Sequence, residues 1–142
     1  MELEAAQPLS KEHVSKRVKD WKLRVSKLYK EVGSWLHDKP EYKVTLGVKV
    51  RMYEELMEKY GIAPEEIQTA DLYKGDKLIA SFMPIGLWVI GANGRIDLLT
   101  SQGSYTLVDN ADEFKSPEWH MYPPSDHRKG KPFSKRELLA IA

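Results

Sequence analysis

From Val14 the apolar positions recur at Val18, Trp21, Val25, Leu28, Val32 and Trp35, in alternating steps of four and three. That is a heptad seam, and it predicts an amphipathic helix over 11–37. Ser10 stands where an N-cap belongs, and Pro40 follows as a stop. A second set, Val48, Met52 and Leu56 with Tyr53, Met57 and Tyr60, predicts a helix over 48–60. Gly61 would close it and Pro64 lies just beyond.

The period then changes to two. Segments Ile67 to Lys74 and Lys77 to Met83 flank the turn Gly75-Asp76. Segments Leu87 to Ala92 and Arg95 to Thr100 flank Asn93-Gly94, a strong signal for a two-residue hairpin. Ser104 to Asp109 follows the turn at Ser101-Gln102-Gly103. Together they predict a five-stranded antiparallel meander over 67–109. An Asn93-Gly94 hairpin would set Ala92 against Arg95, and on the core side Gly91 against Ile96, Val89 against Leu98 and Leu87 against Thr100. It would leave Trp88 against Leu99 and Ile90 against Asp97 on a half-apolar second face. The first helix or a second copy of the chain would cover that face. Beyond Ala111, Pro117, Pro123, Pro124 and Pro132 interrupt the chain, so 110–142 is expected to be an irregular arm with a short last helix opened by Ser134. The expected fold is α+β, one domain over 1–142: two N-terminal helices packed on the meander.

Composition agrees with one folded domain: 142 residues, 42% of them hydrophobic. Cysteine is absent, which excludes disulfides, thiol catalysis, cysteine-ligated zinc and iron–sulfur clusters. No run approaches the ~18 apolar residues of a membrane span. The opening Met1-Glu2-Leu3-Glu4 lacks the basic and apolar regions of a secretory signal, so a cytoplasmic location is expected and no membrane contact. Formal net charge is only +1, yet charge is unevenly distributed. The first helix carries eight basic residues and three acidic ones, whereas 51–76 carries three basic and seven acidic. Lys16, Lys19, Lys27 and Lys30, with Arg128 and Lys129 of the tail, are the residues a nucleic-acid backbone would use.

Signatures of catalysis are sparse. There is no dinucleotide or Walker loop and no Gly-x-Ser-x-Gly elbow. His120 and His127, beside Glu118 and Asp126, match no zinc spacing. The stretch Gly94-Arg95-Ile96-Asp97-Leu98-Leu99, followed by Tyr105-Thr106-Leu107-Val108-Asp109, resembles the metal-binding hairpin of RecB-type nucleases of the PD-(D/E)XK superfamily. The resemblance implies magnesium held by Asp97 and Asp109, but Ala111 stands where that family has its lysine. It spans about sixteen residues, and no family resemblance extends over the full length. The expected register also sets Asp97 against Val108, on the face opposite Asp109.

The leading expectation is therefore a small non-catalytic protein-interaction module needing no cofactor, binding another protein or a second copy of itself. Trp21, Val25, Leu28, Trp35 and Trp88 are its expected contact residues. The alternative is a nucleic-acid-acting protein, through the basic residues above or through Asp97 and Asp109.

Overall fold

A computed structural model describes residues 10–88, 92–126, 128 and 130–142. The first helix, α1, runs over Lys11–Trp35. It starts where the Ser10 side chain accepts the His13 N–H at 3.1 Å, one of the four amides that a helix N-terminus leaves without an internal partner. Its seam is buried as the spacing requires: Val14, Val18, Trp21, Val25, Leu28 and Val32 all lie in the core.

Among the described residues the sheet has seven strands in sequential order: β1 Tyr42–Met52, β2 Glu65–Lys74, β3 Lys77–Gly86, β4 Arg95–Thr100, β5 Gly103–Asp109, β6 Trp119–Tyr122 and β7 Lys131–Pro132. All neighbours are antiparallel. The α+β class holds, but the meander has seven strands rather than five, because both ends of the chain extend it.

At the N-terminal end, the helix expected over 48–60 is corrected. Residues 42–52 are strand, and only α2, Glu55–Lys59, is helical. Val48, Met52 and Leu56 happen to fit a helical period, but pairing with β2 outweighs it. Val44 faces Leu72 and Val50 faces Ile67, and β-branched side chains suit that pleated ladder. Gly61 does end α2, at φ +69°. At the C-terminal end, β6 and β7 lie inside the arm expected to be irregular. The last helix, α3, covers Lys135–Ile141 and buries Leu138.

The central hairpin also differs. The partner of β4 is β3, with Phe82 opposite Leu98, Met83 opposite Asp97 and Pro84 opposite Ile96. Leu87 and Trp88 lie outside the strands, and the expected pairing of Val89 and Ile90 falls outside the described residues. Asn93-Gly94 is not a hairpin turn. The Asn93 N–H donates to the Asp109 carbonyl at 2.7 Å and the Asp109 N–H donates to the Gly94 carbonyl at 3.2 Å, which extends the ladder beside β5. Gly75-Asp76 joins β2 to β3 as expected, with Lys74 opposite Lys77.

One sheet face lies under α1. Its rows are Ala70, Phe82, Leu98, Tyr105 and then Pro84, Ile96, Leu107, Met121. Most of these are fully buried with the helix seam in a single core. The opposite face carries Asp71, Ser81, Leu99 and Ser104 in one row. Leu99 there remains 41% exposed, so α1 covers the other face from the one expected to need it.

Candidate functional site

The cations of α1 fall into two groups. Arg17 and Arg24 sit at the border of the apolar seam and are buried. Arg24 donates to Asp20 at 2.6 Å, to Asp109 at 2.5 Å and to the carbonyl of Lys115. The other oxygen of Asp109 accepts the N–H groups of Ala111 at 3.0 Å and Glu118 at 2.8 Å. This carboxylate is 0% exposed and fully engaged, so it fastens the β5–β6 connection to the helix. Arg17 donates to Asn93 at 2.7 Å and to Glu113 at 2.8 Å, and lies 5.7 Å from the Trp88 ring centroid. Burial pulls its guanidinium below the usual range, while Glu113 acts in the opposite sense. His13 Nε2 lies 3.2 Å from the same Glu113. The Glu54 carboxylate accepts the N–H of Leu87 at 2.9 Å and of Trp88 at 3.3 Å. These charges meet one another and the backbone, which makes the cluster a clamp on the two connections beside α1.

Lys16, Lys19, Lys27 and Lys30 form the second group. They are exposed on the outer face of α1 around Leu23, itself 69% exposed. Successive helical offsets place them in one stripe about 21 Å long. None makes an ion pair with a described residue.

The outer stripe leads to the edge of the sheet. Among the described residues β1 pairs only with β2, so the other side of this 11-residue strand has no described neighbour. Lys43, Lys49 and Arg51 are exposed along it, and the strand contains no carboxylate. Leu46 and Val48 are 59% and 66% exposed between these cations. A bulge interrupts the ladder between Leu46 and Lys49. Gly47 lies within it, and a Cβ there would stand 2.2 Å from the Thr69 hydroxyl. Between β1 and α1 lies a cleft of about 340 Å³, lined by Val25, Ser26, Tyr29, Leu46, Lys49 and Ile67 among others. The Tyr29 hydroxyl donates to the Gln68 carbonyl at 2.8 Å.

The expected contact residues take other places. Trp21, Val25 and Leu28 are 1–2% exposed and pack on the protein's own sheet, so they present no surface to a partner. Trp35 is half-buried, its ring 5.5 Å from that of Phe133, and Trp88 covers Arg17. Asp97 and Asp109 do not converge. Asp97 stands opposite Thr106 rather than Val108, and strand alternation then puts it on the face opposite Asp109. Asp97 pairs with Arg95 at 2.9 Å and Asp109 with Arg24. The magnesium site implied by the nuclease resemblance is therefore not formed by this pair. Among the described residues no group of three or more His, Asp or Glu is placed to hold a metal ion. Arg128 is exposed beside Asp126 at 3.5 Å, and Lys129 lies outside the described residues.

Sequence reasoning missed His13, Arg17, Glu54, Asn93 and Glu113. The legible signal was the place of His13, Arg17 and Arg24, each next in sequence to a residue of the heptad seam. The β1 edge was missed because residues 48–52 were assigned to a helix.

No described helix is long and apolar enough to cross a membrane. No family model, no curated protein and no solved structure matches this chain.

Proposed function

We propose that the protein is a small, non-catalytic, cytoplasmic interaction module that takes up an extended acidic segment of another protein along β1. The observation that carries this reading is the edge of β1 that no described strand pairs, which offers three cations, no carboxylate and two exposed apolar side chains. An added strand would supply the missing backbone partners, and its side chains would set specificity. Lysines and a bulge are also the devices that blunt an edge against indiscriminate pairing. Here they favour one sign of charge. A second copy would bring Lys43, Lys49 and Arg51 against their own equivalents, so like charges disfavour a homodimer through this edge. An acidic strand would neutralise them, with an apolar side chain entering the cleft beside Leu46 and Tyr29.

The second reading is phosphate-backbone binding by the lysine stripe of α1, favoured by four exposed cations that make no ion pair with a described residue. One titration separates the two. The isotope-labelled protein is mixed in turn with a peptide alternating Glu and Val, its Lys-for-Glu counterpart, and a single-stranded oligonucleotide, at low salt. The acidic peptide alone should shift the amide resonances of 42–52, and the double variant K49E/R51E should abolish the effect. Equal binding of the basic counterpart, or no shift with any peptide, refutes the strand-addition reading. A shift confined to α1 with the oligonucleotide puts the nucleic-acid reading in its place.

A further inference from the structure

A second cleft, of about 380 Å³, lies at the C-terminal half of α1, where β6 and β7 approach it. Its aromatic lining comes from Trp35, Trp119 and Phe133. Pro132 adds a flat apolar surface, and Glu31 and Glu118 bring two carboxylates. Neither carboxylate makes an ion pair with a described residue. Trp119 is only 7% exposed, and its indole N–H is buried with no acceptor among the described residues. Its own backbone carbonyl is already engaged by the Phe133 N–H at 2.9 Å.

Each feature asks something of a ligand. A buried indole N–H without an acceptor is unfavourable, because the group has left water and gained nothing in return. It calls for a carbonyl oxygen. Aromatic walls call for a flat, rigid apolar partner. Two unpaired carboxylates call for a cation. Proline-rich segments in the polyproline II conformation join the first two properties, since that helix makes no internal hydrogen bonds and its carbonyls stay free. Aromatic-lined grooves are the usual receptors for such segments, and little ordering entropy is lost on binding. A basic residue in the same segment supplies the third property, and an arginine can also lie on an indole face.

We infer that this cleft binds a proline-rich segment carrying arginine, with the Trp119 indole donating to a ligand carbonyl and Glu31 and Glu118 facing the guanidinium. The site is separate from the β1 edge and opposite to it in charge preference. It therefore stands or falls independently of the strand-addition reading. Trp35, half-buried and resting edge-on against Phe133, is part of the same lining.

The test titrates the labelled full chain with a Pro-Pro-Arg repeat peptide, a Pro-Pro-Glu repeat and tetramethylammonium, following the indole N–H resonances. The arginine peptide should move the Trp119 indole signal downfield, as a new hydrogen bond does, and the glutamate repeat should leave it in place. W119F removes the donor and keeps an aromatic ring, and should weaken binding roughly fivefold to tenfold, the loss of about one hydrogen bond. Because Trp119 also packs 6.1 Å from Trp21, the exposed-side variant E118Q provides a check that does not depend on the core. E118Q should weaken the arginine peptide and leave an all-proline peptide unchanged. Unchanged binding in both W119F and E118Q overturns the assignment. So does equal binding of the glutamate repeat, or a response to tetramethylammonium with the peptides inert.

Discussion

The two faces of α1 use positive charge in different ways. Toward the β4–β6 side, Arg17 and Arg24 are buried, and each bridges carboxylates and carbonyls from segments distant in sequence. Toward solvent, Lys16, Lys19, Lys27 and Lys30 make no ion pair with a described carboxylate. The difference follows from chemistry. A planar guanidinium with five fixed donors serves several acceptors at once and tolerates burial, whereas a compact, strongly hydrated ammonium is most stable in water. The buried cations hold the fold together; the exposed ones are available to something else. A charge excess read from composition does not distinguish these uses.

The comparison implies a steep gradient of mutational effect from the clamped side to the open side. Asp109→Ala should have the largest effect. It leaves Arg24 buried without its main partner, and chemical denaturation should show a loss of about 3–5 kcal/mol. Gly94→Ala comes next. At φ +113° the residue is in the region that disfavours side chains, and its Cβ would lie 2.1 Å from the Trp21 ring. Strain and overpacking together should cost about 2–4 kcal/mol by the same measurement.

Tyr29→Phe is intermediate and adds a pH signature. It removes the bond to the Gln68 carbonyl, worth about 1 kcal/mol at neutral pH. Burial, reinforced by Asp71, raises the Tyr29 hydroxyl well above its ordinary pKa near ~10. The unfolded chain therefore gives up this proton before the folded one does. The stabilisation is complete below pH ~10 and is lost as pH climbs from there toward the folded-state value. Melting temperatures from about pH 9 to 11 should fall more steeply for the wild-type chain than for Tyr29→Phe; parallel curves would remove Tyr29 from the account. The smallest effect belongs to the open side. Lys19→Glu and Lys27→Glu should each change stability by no more than about 0.5 kcal/mol. A loss near that of Asp109→Ala would mean that the outer stripe is structural as well.

Elements whose signals are local were legible. The α1 seam, the Ser10 cap, the Gly75-Asp76 turn, the stop at Gly61 and the last helix can all be read from neighbouring residues. The exceptions share a physical cause. Residues 48–52 fit a helical period, but their conformation is decided by pairing with β2, whose partners, Glu65 to Gln68, lie beyond α2 in sequence. Asn93-Gly94 has the composition of a hairpin turn, but its hydrogen bonds go to Asp109. Trp119–Tyr122 lies among prolines and becomes a strand because β5 offers it a partner. The candidate surfaces were less legible still. Trp21, Val25 and Leu28 had the spacing of a contact seam, and periodicity does not say whether the matching surface belongs to another molecule or to the same one.

By itself, the sequence determined that this chain forms a mixed α and β fold with one long amphipathic helix, no cysteine chemistry and a strongly basic N-terminal segment. These depend on side-chain identity and short-range spacing, which act within a turn of helix or a pair of strands. Only the tertiary structure decided that, among the described residues, the sheet has seven strands, Asp109 is a clamp, β1 is an edge and the Trp119 indole finds no acceptor. Each of these depends on which distant segments meet, because a hydrogen bond or an ion pair exists only between groups that folding has brought within about 3 Å of each other.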